Sequence, residues 1–173
     1  MPALTPTEID EFLEVRGVLM RVATVDSEGN PHVAPIWFVH EGGRIWFTPR
    51  ENSAWLRHIR SHARIAVTID EEAAPYRKVI VEGVAEIVHD LGDDDAWRDR
   101  YRRISERYTS PEGADAYITN TIDQPRALMS LTLGACSVTS WRMPRRGESA
   151  TGIWHRRYYA DGSKYAIEAD DPT

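Results

Sequence analysis

Hydrogen-bond donors cluster at residues 48–60, around the start of a predicted helix, where they could bind a phosphate group. Thr48, Arg50 and Ser53 precede the helical pattern in TPRENSAWLRHIR, and Arg57 lies one turn further along. The first N–H groups of a helix have no carbonyl partners within it, so they attract anions. A capped surface helix with ordinary exposed arginines explains the same residues, so this segment alone leaves both interpretations open.

A second segment, GNPHVAPIWF at residues 29–38, has the pattern of a strand with a proline in its middle. Proline cannot donate a hydrogen bond to a neighbouring strand. Pro35 stands beside Ala34 and shortly before Trp37. One explanation is that something other than a neighbouring strand lies against this backbone.

Other motifs for chemistry are weak. GESAT at residues 147–151 departs from the nucleophile elbow G-x-S-x-G at its last position, and it does not lie between a strand and a helix. His58 and His62 have a spacing that can hold a metal on a helix, but no glutamate or cysteine joins them in a metal motif. We therefore predict no metal site and no serine nucleophile.

Composition limits the class of protein. A length of 173 residues suits one domain, and the net charge of -6 argues against nucleic-acid binding. Cys136 is the single cysteine, so no internal disulfide can form. The sequence shows no signal peptide and no apolar run long enough to span a membrane, so we predict a cytoplasmic protein.

Periodicity predicts a mainly β protein with a few short helices. Gly83, inside the longest predicted strand, suggests a bulge or the close approach of another segment. Six strands in a largely antiparallel order favour a small β-barrel with helical insertions. The predicted strands are 17–26, 30–40, 45–49, 63–70, 77–90 and 126–141, and the predicted helices are 5–16, 51–62, 93–107 and 110–122.

The composition changes after Trp141. The segment RMPRRGESATG is polar and rich in turn formers, and RRYYADGSKYAIE carries an Asp-Gly pair between aromatic runs, which indicates a hairpin. We therefore divide the chain into a barrel domain, residues 1–143, and a C-terminal extension with a β-hairpin, residues 144–173.

The order of three segments resembles the pyridoxamine 5'-phosphate oxidase-like superfamily, the flavin-binding split barrels. The segments are TVDSEGNPHVAPIWF, GRIWFTPRENSAWLRHIRSHARIAV and PYRKVIVEGVAEIV. No single motif is sharp, but several weak ones occur in the family's order and spacing over roughly residues 10–140. The resemblance implies a six-stranded antiparallel split barrel of the FMN-binding type.

The resemblance also implies which residues contact a cofactor. In such proteins the strand matching HVAPIWF runs along the flavin ring, TPRENSAWLRHIR contains the phosphate site, and YRKV approaches the flavin from the barrel wall. Family members are homodimers with the cofactor at the subunit interface. The implied cofactor-binding residues are Ala34, Pro35, Ile36, Trp37, Thr48, Arg50, Ser53, Trp55, Arg57, Arg77, Lys78 and Trp141.

Two departures from the family pattern bear on function. Trp55 holds about the position at which many relatives carry a lysine in the phosphate helix, so the resemblance leaves the cofactor open between FMN and coenzyme F420. The chain also lacks the closing Arg-Leu-x-Pro pattern of true pyridoxamine phosphate oxidases, so vitamin B6 synthesis is not expected.

The function implied by the resemblance is that of an FMN- or F420-dependent oxidoreductase, which transfers a hydride to or from a small organic substrate. No side chain is identified as catalytic. Two alternatives stay open. One is a non-catalytic flavin-binding carrier, and the other is a haem-binding split barrel with His32, His40 or His89 as an axial ligand.

Overall fold

Nine β-strands form two antiparallel sheets in the computed structural model, which describes residues 2–148 and Gly162. The strands are β1 (Met20–Val25), β2 (Pro31–Ile36), β3 (Phe38–Glu41), β4 (Arg44–Phe47), β5 (Arg64–Asp70), β6 (Lys78–Val84), β7 (Glu86–His89), β8 (Leu128–Thr132) and β9 (Ser137–Trp141). The larger sheet has the order β2-β1-β5-β6-β9, and the smaller has the order β3-β4-β8-β7.

Three predicted strands each contribute to both sheets. Residues 30–40 bend at Trp37 between β2 and β3, and residues 77–90 bend at Ala85 between β6 and β7. The segment 126–141 was predicted as one core strand, and this is wrong, because the short 3₁₀ helix Leu133–Ala135 separates β8 from β9. These divisions join the two sheets into a split barrel and explain why nine strands replace the predicted six.

Four α-helices cover the barrel in the described part of the chain. Thr5 caps the first helix, because its hydroxyl accepts from the Glu8 N–H while the Glu8 carboxylate accepts from the Thr5 N–H. Ser110 caps the last helix by accepting from the Gly113 N–H. The helices are α1 (Pro6–Leu13), α2 (Ala54–Ser61), α3 (Arg98–Glu106) and α4 (Pro111–Asn120).

Alternate residues of the central strands fill the barrel interior. On β1, Met20 and Val22 are buried while Arg21 and Ala23 face outward, which is the period of two that one buried sheet face requires. β5 and β6 repeat this alternation. The largest fully buried side chains include Phe12, Phe38, Phe47, Met20, Ile69, Met129 and Leu131.

The prediction of a close approach at Gly83 is confirmed. A Cβ atom at this position would lie 2.3 Å from the Cys136 Sγ, which is far inside van der Waals contact. A larger residue at this position of β6 would therefore force the Cys136 side chain, just before β9, to move.

The start of the C-terminal extension is tied to the barrel. The buried Arg142 guanidinium donates to the Glu148 carboxylate, with an Nη1–Oε2 distance of 2.7 Å. The predicted hairpin lies outside the described residues. Within residues 2–148, no helix has the length and apolar character needed to cross a bilayer.

Candidate functional site

A pocket with a volume of about 270 Å³ lies between the barrel and helices α3 and α4. The barrel side consists of the bend after β2 and the segment that joins β4 to α2. The helix side contributes aromatic and aliphatic residues. The lining residues are Pro35, Ile36, Trp37, Thr48, Arg50, Ser53, Trp55, Tyr101, Ile104, Tyr117 and Arg126.

Seven of the twelve residues predicted to contact a cofactor line this single pocket. They come from two separate segments, one predicted to follow a flavin ring and the other predicted to bind phosphate. The structure therefore brings the two halves of the predicted site together. The seven are Pro35, Ile36, Trp37, Thr48, Arg50, Ser53 and Trp55.

Pro35 lies on β2, which is an edge strand of the larger sheet. Proline is tolerated on an edge, because one side of the strand has no neighbour to receive a hydrogen bond. Pro35 pairs with Arg21 of β1 and also lines the pocket. Ala34, its neighbour, packs against the buried core instead.

Trp37 forms a rigid aromatic wall at the bend between the sheets. Its ring stacks on Tyr108, with centroids 5.0 Å apart and an interplanar angle of 5°. The Tyr108 hydroxyl donates to the Val18 carbonyl at 2.8 Å and accepts from the Phe38 N–H at 3.3 Å. These two hydrogen bonds fix the Tyr108 side chain, and its ring holds the stacked Trp37 indole in one orientation.

Two arginines converge on Tyr117, whose ring centroid lies 5.1 Å from that of Trp37. Arg50 Nη2 donates to the Tyr117 hydroxyl at 2.9 Å, and Arg126 Nη2 donates to the same oxygen at 3.3 Å. The two arginines are also backbone neighbours in an isolated β-bridge. Arg126 is only 5% exposed, and its guanidinium lies 4.5 Å from the centroid of the Tyr101 ring.

The pKa values of the two pocket tyrosines are shifted in opposite directions. Burial raises the pKa of Tyr101 to about 12. Burial also acts to raise the pKa of Tyr117, but the Arg126 charge and the hydrogen bonds from Arg50 and Arg126 outweigh it, so the pKa of Tyr117 lies below its ordinary value. This wall of the pocket therefore favours a negatively charged oxygen.

The start of α2 has no side-chain cap, and among its first N–H groups that of Leu56 donates to the Ser53 carbonyl at 3.1 Å. Ser53 occupies the N-cap position, but its hydroxyl accepts from the Arg50 N–H at 3.1 Å and makes no capping bond. Trp55 in the first turn is 7% exposed, and its ring lies 6.0 Å from the Phe47 ring. Trp55 therefore closes the floor of the pocket with an apolar surface.

Three predicted cationic contacts lie outside the pocket. The exposed Arg57 donates to the Asn52 carbonyl at 3.4 Å. Arg77 donates to the Glu71 carboxylate through Nε at 3.0 Å and Nη2 at 2.8 Å, and this hydrogen bond raises the pKa of Arg77. Lys78 is the third.

Lys78 and Trp141 lie together on the outer face of the larger sheet. They pair in register between β6 and β9, and the Lys78 Nζ lies 4.8 Å from the Trp141 ring centroid. Neither residue lines the pocket of its own chain.

The three histidines considered as haem ligands also lie elsewhere. His32 packs edge-on against His58, with ring centroids 5.3 Å apart, and His40 lies 3.8 Å from an Asp10 carboxylate oxygen. His89 Nδ1 contacts the Asp93 carboxylate. None of the three lines the pocket.

The residues that sequence reasoning missed come from the helix side of the pocket. α3 was predicted as a solvated helix, yet Tyr101 and Ile104, three residues apart, are both buried. That spacing was a visible signal of a buried helix face. Tyr117 and Arg126 gave no comparable signal, because their place in the pocket depends on how α4 and β8 pack.

Comparisons with known proteins come from sequence and from structure. A model of the family described as "Pyridoxamine 5'-phosphate oxidase" matches residues 5–139. No curated protein sequence matches the chain.

Solved structures share the fold. A conserved hypothetical protein from Mycobacterium tuberculosis is 21% identical, with a TM-score of 0.66 over 86% of this chain and 94% of that chain. An F420 reductase is 26% identical, with a TM-score of 0.54 over 73% of this chain and 94% of that chain. The haem storage protein HutZ from Vibrio cholerae is 21% identical, with a TM-score of 0.58 over 78% of this chain and 94% of that chain.

Proposed function

Because the chain belongs to the pyridoxamine 5'-phosphate oxidase family, we propose that its pocket binds a flavin-type cofactor, FMN or coenzyme F420, and that the protein is an oxidoreductase. One observation carries the proposal. Seven residues expected to contact ring and phosphate line the same pocket, whose donors include two arginines. The similarity to an F420 reductase at 26% identity supports F420 as much as FMN.

The donor set suits a planar ring with an anionic tail. Trp37 and the backbone of Pro35 and Ile36 would lie along the ring. Thr48 and Arg50, together with the uncapped start of α2, would bind the anionic group. Both FMN and F420 combine a tricyclic ring with a phosphate ester, so one set of residues serves either cofactor.

The chain's own contribution is binding and orientation. The bound cofactor would supply hydride transfer. The Trp37–Tyr108 stack fixes one wall of the pocket, and Trp55 with Ile104 makes part of its lining apolar, which excludes water from the reacting face. No side chain of the pocket is assigned as a general acid or base.

One chain encloses only part of such a cofactor. The pocket volume of about 270 Å³ falls just below the roughly 300–1,000 Å³ that encloses a whole drug-sized ligand. The remainder of the cofactor would therefore lie against solvent or against a second subunit.

We propose that a second copy of the chain supplies that surface through the outer face of the larger sheet. This face carries exposed apolar residues, with Val33 61% exposed beside the paired residue Ala23, and it also carries the ion pair between Arg21 and Asp70. Pro35 lies at one edge of the face, and Lys78 and Trp141 lie at the other. Face-to-face pairing would bring those two residues of one copy towards the pocket of the other.

Paired variants test the cofactor site. The protein is titrated with FMN and with F420, and binding is measured by the quenching of tryptophan fluorescence. We expect Arg50→Ala to weaken binding by about tenfold to a hundredfold, because a charge-assisted hydrogen bond contributes about 1.5–3 kcal/mol. Arg60→Ala is the matched control, because Arg60 lies outside the pocket and donates to the Asp90 carboxylate. Equal weakening by both variants would contradict the proposed site.

Activity separates an oxidoreductase from a carrier. The reduced cofactor would be mixed with quinones, enones and nitro compounds in the presence and absence of the protein. Faster reoxidation of the bound cofactor than of the free cofactor supports the enzyme, whereas tight binding without acceleration by any acceptor supports the carrier.

A further inference from the structure

Arg126 is a buried charge without an acidic partner. It is 5% exposed, and its Nε atom makes no hydrogen bond. Within residues 2–148, no aspartate or glutamate forms an ion pair with it. The nearby Asp94 carboxylate accepts from the Arg126 backbone N–H at 3.0 Å.

A buried, unpaired charge is unfavourable, because it loses hydration without gaining a counterion. The guanidinium has the Tyr101 ring at 4.5 Å, the Tyr117 ring at 5.7 Å and the Tyr117 hydroxyl at 3.3 Å in place of water, and none of these groups is a counterion. Arg126 lines the pocket, so an anion bound there would reach it.

The Tyr117 hydroxyl marks where that anion would lie. Its oxygen accepts from both Arg50 at 2.9 Å and Arg126 at 3.3 Å, so two guanidinium groups from different parts of the chain converge on one point. Guanidinium groups match the oxygens of phosphate and carboxylate, and they bind these groups more strongly than a neutral hydroxyl. The lowered pKa of Tyr117 shows that this point favours negative charge.

We propose that Arg50 and Arg126 form an anion clamp, in which an oxyanion of the bound ligand replaces the Tyr117 hydroxyl. The oxyanion is a phosphate or a carboxylate, supplied either by the cofactor or by an acidic substrate. This inference rests on the proposed function and adds Arg126 as a specificity-determining residue and Tyr117 as the group that gives way.

Inorganic phosphate is the first probe. Calorimetric titration should show saturable binding to the unmodified protein and binding about tenfold or more weaker to Arg126→Met, because a charge-assisted hydrogen bond is lost. Arg60→Met is the matched control, since Arg60 is an exposed arginine bonded to Asp90, and it should bind phosphate as the unmodified protein does. Circular dichroism verifies that each variant is folded.

The Tyr117→Phe variant provides a second test, which does not depend on the stability of the Arg126→Met variant. Removal of the competing hydroxyl should leave phosphate binding unchanged or strengthen it severalfold. Weaker phosphate binding by Tyr117→Phe would overturn the clamp. So would equal binding by Arg126→Met and Arg60→Met, or the absence of saturable phosphate binding to the unmodified protein.

Two further titrations identify the source of the oxyanion. If the cofactor supplies it, Arg126→Met weakens binding of FMN but not of riboflavin, which lacks the phosphate. If a substrate supplies it, FMN binding is unchanged and benzoate binding to the cofactor-loaded protein is lost. An unmodified protein that binds neither FMN nor F420 contradicts the proposed function, whereas phosphate binding that requires Arg126 still supports the clamp.

Discussion

Trp55 lies where the resemblance implies a phosphate-binding lysine, and its buried indole cannot bind phosphate as a cation. The structure shows positive charge in the same pocket from Arg50 and Arg126. One of these arginines follows β4 and the other precedes β8. The chain thus has Trp55 in place of the lysine of the family pattern, and Arg126, from a distant part of the chain, adds a cation to the same pocket.

At the residue scale, a local signal grouped several side chains that the structure places together, and their binding of a cofactor stays a prediction. Pro35, Trp37, Arg50 and Ser53 belong to short segments whose order indicated their place, and they line one pocket. Arg77 shows the limit of this reasoning, because its guanidinium is bonded to a glutamate six residues earlier in the same loop. Nothing in the sequence pattern indicated that the loop would bring those two side chains together.

Alkaline titration tests the electrostatics of the pocket. The pKa of Tyr101 is raised to about 12, and that of Tyr117 lies below its ordinary value. Tyrosinate absorbance measured from pH 8 upward should lose a low-pH component in Tyr117→Phe and a high-pH component in Tyr101→Phe.

The lowered pKa of Tyr117 determines how its contribution to folding stability changes with pH. Because ionised Tyr117 is favoured in the folded state, its contribution to stability is present above the ordinary tyrosine pKa and is lost as the pH falls through the folded value. Identical difference titration curves for the two variants would show that the arginines do not act on Tyr117.

At the scale of elements, the sequence predicted where strands and helices lie better than it predicted where one strand ends and the next begins. The apolar run at residues 33–39 continues through Trp37, and a period of two continues from Val79 through Ala85 to Ile87, so neither pattern reveals that the strand passes to another sheet there. The bends matter for function, because the one at Trp37 forms a wall of the pocket. Their positions depend on tertiary packing, including the Tyr108 ring and its hydrogen bonds.

The close approach of Cys136 to β6, next to the pairing of β6 with β9, depends on Gly83. Gly83→Ala would place a Cβ atom 2.3 Å from the Cys136 Sγ, so we expect a loss of about 1–3 kcal/mol in the free energy of unfolding. Urea denaturation measures this loss. In a Cys136→Ala background the same change should cost less, because the sulfur is gone, and an equal cost in both backgrounds would disprove the steric explanation.

At the scale of the whole molecule, the proposed homodimer would explain both the incomplete enclosure of the pocket and the exposed apolar residues of the outer sheet face. A homodimer built on that face would cover both, and it would give a role to Lys78 and Trp141, which the pocket of a single chain does not use. Their position could be predicted only as part of a resemblance, since a single chain holds no information on the geometry of its partner.

A charge on the sheet face should disrupt the proposed dimer. Val33→Asp is expected to weaken association at least about tenfold, or about 1.4 kcal/mol, because an apolar contact would bury a carboxylate. Sedimentation equilibrium measures the association constant. Ile122→Asp is the control, since Ile122 is 56% exposed but follows α4, away from the sheet. Equal association of the two variants would exclude this face as the interface.

The most direct measurement for the central claim is an equilibrium titration of the intact, unmodified protein with FMN and with F420. The proposed site predicts saturable binding of at least one of them, at one molecule per chain, with quenching of tryptophan fluorescence because Trp37 lines the pocket. Folded protein that binds neither cofactor would show that this pocket is not a flavin site.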